Sequence, residues 1–583
     1  MIAAAWPLIL VLVRANPERP LVRLKGTDFA GGAAGRFGSV HFDMSEVNYV
    51  YARPTGEHSR MTAVFDLPGD PASPLCLHLQ ARDDDAQAPC PIEVTVNGKV
   101  ILRGPSPFPA NEWAWRRWVI ADGILRAGRN EIVISNTAEV GTLGMPPWFM
   151  VARGAIASGS WDPLAPAPVE EDFFVRLPEE VRELPEPLPP GRPAGFAVRG
   201  IKGWNWRPDQ YLAEIPVLAK YRMNFLMNCY LSMFDTQREA WNSGRANRWW
   251  EPLPEAKKKA WEEVVRACRA AGIEFCFAMN PNLASPRPLE YRNPQDLDAL
   301  WQHYAWMQGL GVTWFSICLD DITHGIDAKG QAHAVNEIFR RLRAADPGAR
   351  MVFCPTYYWG VGEDPQARTY LADLATELHL EVYVFWTGPS VVPQRVPRTA
   401  AEAYRRHVRH RLFLWDNYPV NDAHPTLHLG PLTGRDPDLG TVVDGYMANP
   451  MCPQNEINRI PLLTIADYTY NPVDYDPGRS IGQAIVHLAE TAEQRRVLRD
   501  LVEMYPGMLL AGKGTSWNPV RECFGRLMAM PHSGYVAGLY VRHAEDVLAR
   551  LTKAFPDRFA DARETLASDV RYMRQSYNRR LAR

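Results

Sequence analysis

The chain has 583 residues, too many for one ordinary domain, and its 46% hydrophobic and 22% charged content is that of a globular protein able to bury large cores. Its 64 Lys and Arg nearly balance its 66 Asp and Glu, a formal charge of −2. That excludes a bulk electrostatic attraction to nucleic acid or an anionic membrane. In chain order, residues Ile2 to Val13 are apolar but too short to span a bilayer. Residues 1–15 are a candidate signal peptide cleaved after Ala15, although the usual basic start is missing. Secretion or periplasmic export and residence in the cytoplasm both stay open.

Residues 20–158 read as short β runs broken by turns, such as "MTAVFDL", "LCLHLQA" and "NEIVIS". Asn97-Gly98 between alternating strands is a hairpin signal. This region is expected to be a jelly-roll-like β-sandwich, with structural and carbohydrate-binding roles both open. Cys76 and Cys90 fall within it, and a disulfide between them is one expectation. Residues 159–194 are rich in proline, as in "LPEPLPPGRP", and read as a stiff linker laid along a surface.

From residue 195 to 478 strand and helix patterns alternate. Eight β runs with apolar bodies appear: "FAVRGIKGW", "MNFLMNCYL", "IEFCFAMNP", "VTWFSICLDD", "RMVFCPTYY", "EVYVFWTGP", "RLFLWDNYP" and "TVVDGYMANP". Helical patterns separate most of them, which predicts a (β/α)8 barrel. An open doubly wound sheet is the alternative, but no GxGxxG or Walker loop follows any of these strands. Residues 479–583 carry helical patterns and are expected to form an α-helical C-terminal domain.

Active sites of such barrels form at the C-terminal ends of the strands. Those ends carry Asn280, Asp320 with Asp321, Tyr358, Trp386 with Thr387, Asn417 and Asn449. The adjacent acids are the sharpest feature. Neighbouring strand residues point to opposite faces, so both can face one pocket only where the chain turns. An ordinary retaining glycosidase pair lies ~5–5.5 Å apart across the scissile bond, usually on different strands. Consecutive acids fit that geometry poorly. They suit a reaction in which the substrate's own amide oxygen is the nucleophile, one acid orienting the amide and the other moving the proton. Asp320 ionised beside Asp321 is expected to hold the latter's proton near neutrality.

The segments "LDDI", "FCPTYY", "VFWTGPSVV", "WDNYPVND", "LHLGPLTGR", "ANPM" and "TIADYTYNPVDYDP" occur in that order. The series resembles glycoside hydrolase family 84, the O-GlcNAcase and hyaluronidase-like β-N-acetylglucosaminidases. The resemblance covers the barrel, about half the chain. It implies a retaining β-N-acetylhexosaminidase that removes terminal 2-acetamido sugars through an oxazoline, with no cofactor and no metal. It implies Asp320 as the residue that orients the acetamido group and Asp321 as general acid/base. Tyr358 and Asn449 would line the acetamido pocket, Cys354 and Trp415 would form its wall, and Asn417 and Asp422 would hold sugar hydroxyls.

Two departures from the family pattern stand out. The first strand has "RGIKGWNW" where the family has "EGFYG", so Gly203 matches while Asn205 replaces a tyrosine. The second has Tyr230 and Leu231 where the family has a hydroxyl-reading lysine, and Lys202 is a candidate substitute. N-acetylgalactosamine, a modified N-acetylglucosamine or a different linkage therefore remain open, as does a carbohydrate-binding protein without hydrolytic activity. Elsewhere, His324 reads as a loop residue and Asp416 as structural. His407 and His410 read as a solvated helix face rather than a metal pair. Trp204, Trp206, Trp249 and Trp250 have stacking on an aglycone and packing as alternatives.

Overall fold

The structure, a computed structural model, describes residues 20–33, 47–67, 75–84, 88–110, 113–143, 145–158, 161, 175–233, 247–322, 325–421, 426–452, 456–529 and 534–581. The candidate signal peptide lies outside the described residues. The chain divides into two compact units. One comprises Met1–Asp172, Arg521–Val541 and Met573–Arg583, the other Phe173–Val520 and Arg542–Tyr572.

In the first unit, strands β1 (Val22–Lys25), β2 (Phe29–Gly31), β3 (Asn48–Tyr51), β4 (Arg60–Leu67), β5 (Leu75–Asp83), β6 (Pro91–Val96), β7 (Lys99–Pro105), β8 (Ala114–Ile120), β9 (Gly128–Asn136) and β10 (Trp148–Ser158) build two antiparallel sheets. One runs β1-β10-β5-β8 with β3 also on β10, the other β2-β4-β9-β6-β7. Leu77, Leu79, Ile92, Val94, Ile132, Ile134, Phe149 and Val151 fill a single core. Along β6 buried and half-buried residues alternate, as expected of a strand with one face on the core. The hairpin β6–β7 turns on Asn97 and Gly98 with φ of 47° and 75°, the left-handed pair that a two-residue turn requires.

The expected disulfide does not form. Cys76 and Cys90 are both free. Cys90 sits in the core cluster, whereas Cys76 lies between Leu75 and Leu77, which point into that core. Its side chain therefore takes the opposite face of β5, in register with the exposed Val119 of β8.

In the second unit, β11 (Val198–Lys202), β12 (Phe225–Met227), β13 (Glu274–Met279), β14 (Trp314–Cys318), β15 (Arg350–Cys354), β16 (Tyr383–Trp386), β17 (Leu412–Pro419) and β18 (Val443–Asn449) close a parallel barrel. Helices Pro208–Lys220, Glu255–Ala270, Pro294–Gly309, Ala328–Ala345, Pro365–Glu377 and Arg398–Val408 form the crossovers between β11 and β17. Covered on both faces, the strands are largely apolar and buried; every residue of β17 is buried. Phe225, Met227, Trp314, Val352, Phe385, Phe413 and Met447 plug the interior. Asn293 and Asp364 cap the helices they precede, accepting from the backbone N–H of Gln295 and Ala367.

Past β18 the chain is helical, with Arg459–Tyr470, Pro477–Leu488 and Ala492–Met504 followed by Met508–Ala511, Pro519–Ala529, Gly534–Ala554 and Ala560–Leu581. The described part of the proline-rich segment is pinned to the first three of these. The backbone N–H groups of Val175, Arg182 and Glu186 donate to Glu503, Gln483 and Asp467 at 3.1, 3.0 and 2.7 Å. Among the described residues no helix is long and apolar enough to cross a membrane.

Candidate active site

The polar groups of the barrel gather at one end because the C-terminal ends of parallel strands all open on the same face. Lys202 and Gly203 come from β11, Tyr230 follows β12, Asn280 follows β13 and the acid pair follows β14. Cys354 and Tyr358 come from the end of β15, Trp415 and Asn417 from β17, and Asn449 from β18.

The two acids have unlike surroundings. Asp320 is 5% exposed, and both its carboxylate oxygens are engaged. Tyr230 donates its O–H to Oδ2 at 2.5 Å and Asn280 donates its side-chain N–H to Oδ1 at 3.1 Å. Asp321 is exposed, and its backbone adopts φ = 56°, the left-handed region that a side chain enters only at a cost. That turn lets a residue next to Asp320 reach a group on the neighbouring strand. Tyr358 donates its O–H to Asp321 Oδ1 at 2.8 Å.

Burial raises the Asp320 carboxyl from 3.8 to about 6. The charge of Asp321 adds to the rise, and the Lys202 ammonium and the Tyr230 hydrogen bond oppose it. The sequence places the upward push on Asp321; the carboxyl that burial raises is that of its neighbour Asp320. Burial likewise raises the phenols of Tyr230 and Tyr358 well above their ordinary range, with the two acids adding to the effect, so both rings stay protonated donors.

Along β17 the side chains alternate as a strand requires. Asp416 points away from the site and pairs with Arg435, the two buried and joined by two hydrogen bonds of 2.8 and 2.6 Å; Tyr446 also donates to it. Its structural reading agrees with this. On the other face, Asn449 donates to Asn417 Oδ1 at 2.9 Å and Asn417 donates to the carbonyl of Val391 at 2.8 Å. That leaves Asn449 Oδ1 buried without a hydrogen-bond partner among the described residues, and Trp415 Nε1 is in the same condition. Cys354 and Trp415 belong to the buried cluster that also holds Tyr230 and Tyr358. Gly203 is fixed by packing: a Cβ there would come within 2.2 Å of the Trp206 ring, and its carbonyl accepts from Tyr211 at 2.9 Å.

Several sequence expectations end elsewhere. Asp422 and His324 lie outside the described residues. Trp206 and Trp249 are fully buried packing residues, whereas Trp204 and Trp250 are half-buried. Trp386 and Thr387 brace loops, donating to the carbonyls of Gly360 and Ser390. His410 is not on a solvated face. It is buried, with its ring nitrogens on the carbonyls of Val408 and Leu378, because it lies past the helix that ends at Val408. Among the described residues no group of three or more His, Cys, Asp or Glu could hold a metal ion.

The sequence reading left the bonds of Tyr230 and Asn280 to Asp320 unassigned. Both follow strands immediately before β14 in the barrel, and asking which neighbouring strand ends could satisfy a buried carboxylate would have found them.

A family model described as β-N-acetylglucosaminidase matches residues 203–503, just over half of the chain and nearly all of the barrel. Among solved structures, an O-GlcNAc hydrolase mutant from Thermobaculum terrenum is similar at a TM-score of 0.53 and 22% identity, covering 66% of this chain and 84% of that one. That likeness speaks for the fold. A protein named CpGH84B overlaps at a TM-score of 0.48 and 18% identity over 74% of this chain and 76% of its own, too low to add to the argument. With the family model spanning the barrel and its strand ends, the chain belongs to the β-N-acetylglucosaminidases of glycoside hydrolase family 84.

Proposed function

We propose that this glycoside hydrolase removes terminal β-linked 2-acetamido sugars with retention, by substrate-assisted catalysis. The observation that carries the reading is the asymmetry of the acid pair: one buried carboxyl with both oxygens hydrogen-bonded, one exposed carboxyl steadied by a phenol.

Asp320, ionised, accepts the acetamido N–H and turns the amide oxygen toward the anomeric carbon. That oxygen attacks, the glycosidic C–O bond breaks, and Asp321 gives its proton to the leaving oxygen. An oxazoline results once the amide proton has passed toward Asp320. Asp321, now a carboxylate, takes a proton from water; the hydroxide attacks the anomeric carbon, the oxazoline ring opens, and Asp320 returns its proton to the nitrogen as the amide re-forms. Two inversions give net retention. Tyr358, a neutral donor on Asp321, holds the acid in place through both steps. Asn449 and Trp415 each carry a polar atom with no partner among the described residues, which supports contacts to the sugar.

Asp321→Asn tests this. Turnover of aryl glycosides with poor leaving groups falls strongly and that of good leavers much less, because only poor leavers need the proton. Equal loss on both counts against the acid role. No hydrolysis of 4-methylumbelliferyl N-acetylglucosaminide or N-acetylgalactosaminide, together with measurable sugar binding, would instead favour a non-catalytic carbohydrate-binding protein.

A further inference from the structure

Lys202 ends β11 fully buried, and its ammonium finds no hydrogen-bond partner among the described residues. Three rings surround it. Its Nζ lies 3.9 Å from the centroid of Trp415, 4.6 Å from Trp204 and 4.9 Å from Tyr230. Aromatic faces cushion a cation but do not accept its N–H bonds in the way an oxygen does. The carboxylate of Asp320 lies within electrostatic reach of this charge but takes no hydrogen bond from it. Buried donors left unmet are costly, so the arrangement calls for an acceptor from outside the protein.

The depth of the ammonium says which part of a sugar could reach it. Tyr230, one of its three rings, is bonded to the buried Asp320, whereas the exposed Asp321 is held by Tyr358, which follows β15. Lys202 is therefore on the amide side of the acid pair and away from the leaving group. With the substrate seated as proposed above, the deepest group is the 2-acetamido substituent, and its outer end is a methyl. A methyl offers the ammonium nothing.

Resting on that reading of the reaction, we propose that Lys202 is a specificity-determining residue: the amide the site takes carries an oxygen function, hydroxyl or carboxylate, on that methyl carbon, and the ammonium donates to it. The substrate is then an oxygenated relative of the N-acetylhexosamine.

The test compares kcat/KM of the full chain on three 4-methylumbelliferyl hexosaminides that differ only in the acyl group: N-acetyl, N-glycolyl and N-carboxyacetyl. An oxygenated acyl group is expected to be preferred over acetyl by about tenfold or more, the scale of one hydrogen bond to a charged donor. The choice between glycolyl and carboxyacetyl separates a neutral from an anionic ligand. Lys202→Met is expected to bring the ratio to about one or invert it. If acetyl is best and Lys202→Met lowers all three alike, the proposal is overturned, and Lys202 reads a ring hydroxyl or only packs. Should Lys202→Met not fold, the wild-type ratio alone decides. If the wild type cleaves none of the three, the hydrolase reading fails and this one with it.

Discussion

Asp320→Asn separates what the carboxylate costs the fold from what it does for the reaction. The folded protein holds Asp320 at about 6 against an ordinary 3.8. A group whose value is raised on folding stabilises the native state fully below its unfolded value. That contribution disappears as the pH rises through the folded one. At 1.36 kcal/mol per pH unit the displacement is worth ~3 kcal/mol at pH 7.5. Asparagine keeps the shape of the protonated acid, accepts from Tyr230 or Asn280, and carries no charge into the buried position. The variant is therefore expected to be more stable than the wild type by ~3 kcal/mol at pH 7.5 and by only ~1 kcal/mol at pH 4.5. For a unit of this size the gain at pH 7.5 is about 3–6 °C in Tm. Thermal unfolding by calorimetry at the two pH values measures it, with kcat followed in parallel and expected to fall by about a hundredfold or more. A variant no more stable than the wild type at pH 7.5, or a gain independent of pH, would refute the claim that ionised Asp320 is held against the cost of its burial.

The same displacement sets the pH dependence of the reaction. Protonated Asp320 cannot take the amide N–H as an anion, so kcat/KM is expected to fall as the pH drops below about 6, a value that belongs to the coupled pair. Tyr230→Phe removes a donor to the ionised form and should move that limb to higher pH; an unmoved limb would mean the bond does not favour the anion. Arg435→Met leaves Asp416 buried without its partner and is expected to cost about 3–5 kcal/mol in urea unfolding, much of it recovered when Asp416→Leu is added. A single variant as stable as the wild type would show that the pair is not what holds β17.

Much of the barrel was legible because both faces of its strands are covered, so most of the eight strands lie inside apolar runs with a polar end. The hairpin at Asn97-Gly98 was legible for a local reason, since few other residue pairs enter left-handed backbone so readily. The acid pair stood out because two consecutive carboxylates at a buried strand end need an explanation. What stayed hidden depended on direction and depth. Cys76 and Cys90 share a region, but strand alternation sends them to different faces. His410 reads as one turn of a basic helix, yet the helix stops at Val408 and the ring turns inward. Lys202 stood in the sequence only as a candidate substitute for the absent hydroxyl-reading lysine. Only the closed barrel shows its ammonium among three rings, and only there does Tyr230 reach from β12 to the carboxylate on β14.

Because Asp320 and Asp321 are consecutive, they ride on one strand. Breathing that parts neighbouring strands carries both acids along as one body and leaves their mutual spacing set by a single peptide link. The looseness of the barrel falls instead on the side chains that bridge to them from other strands: Tyr358 onto Asp321, and Tyr230 and Asn280 onto Asp320. Slippage between β14 and β15 would stretch the Tyr358 bridge and disturb proton delivery, whereas slippage between β13 and β14 would stretch the Asn280 bond and disturb the orientation of the amide.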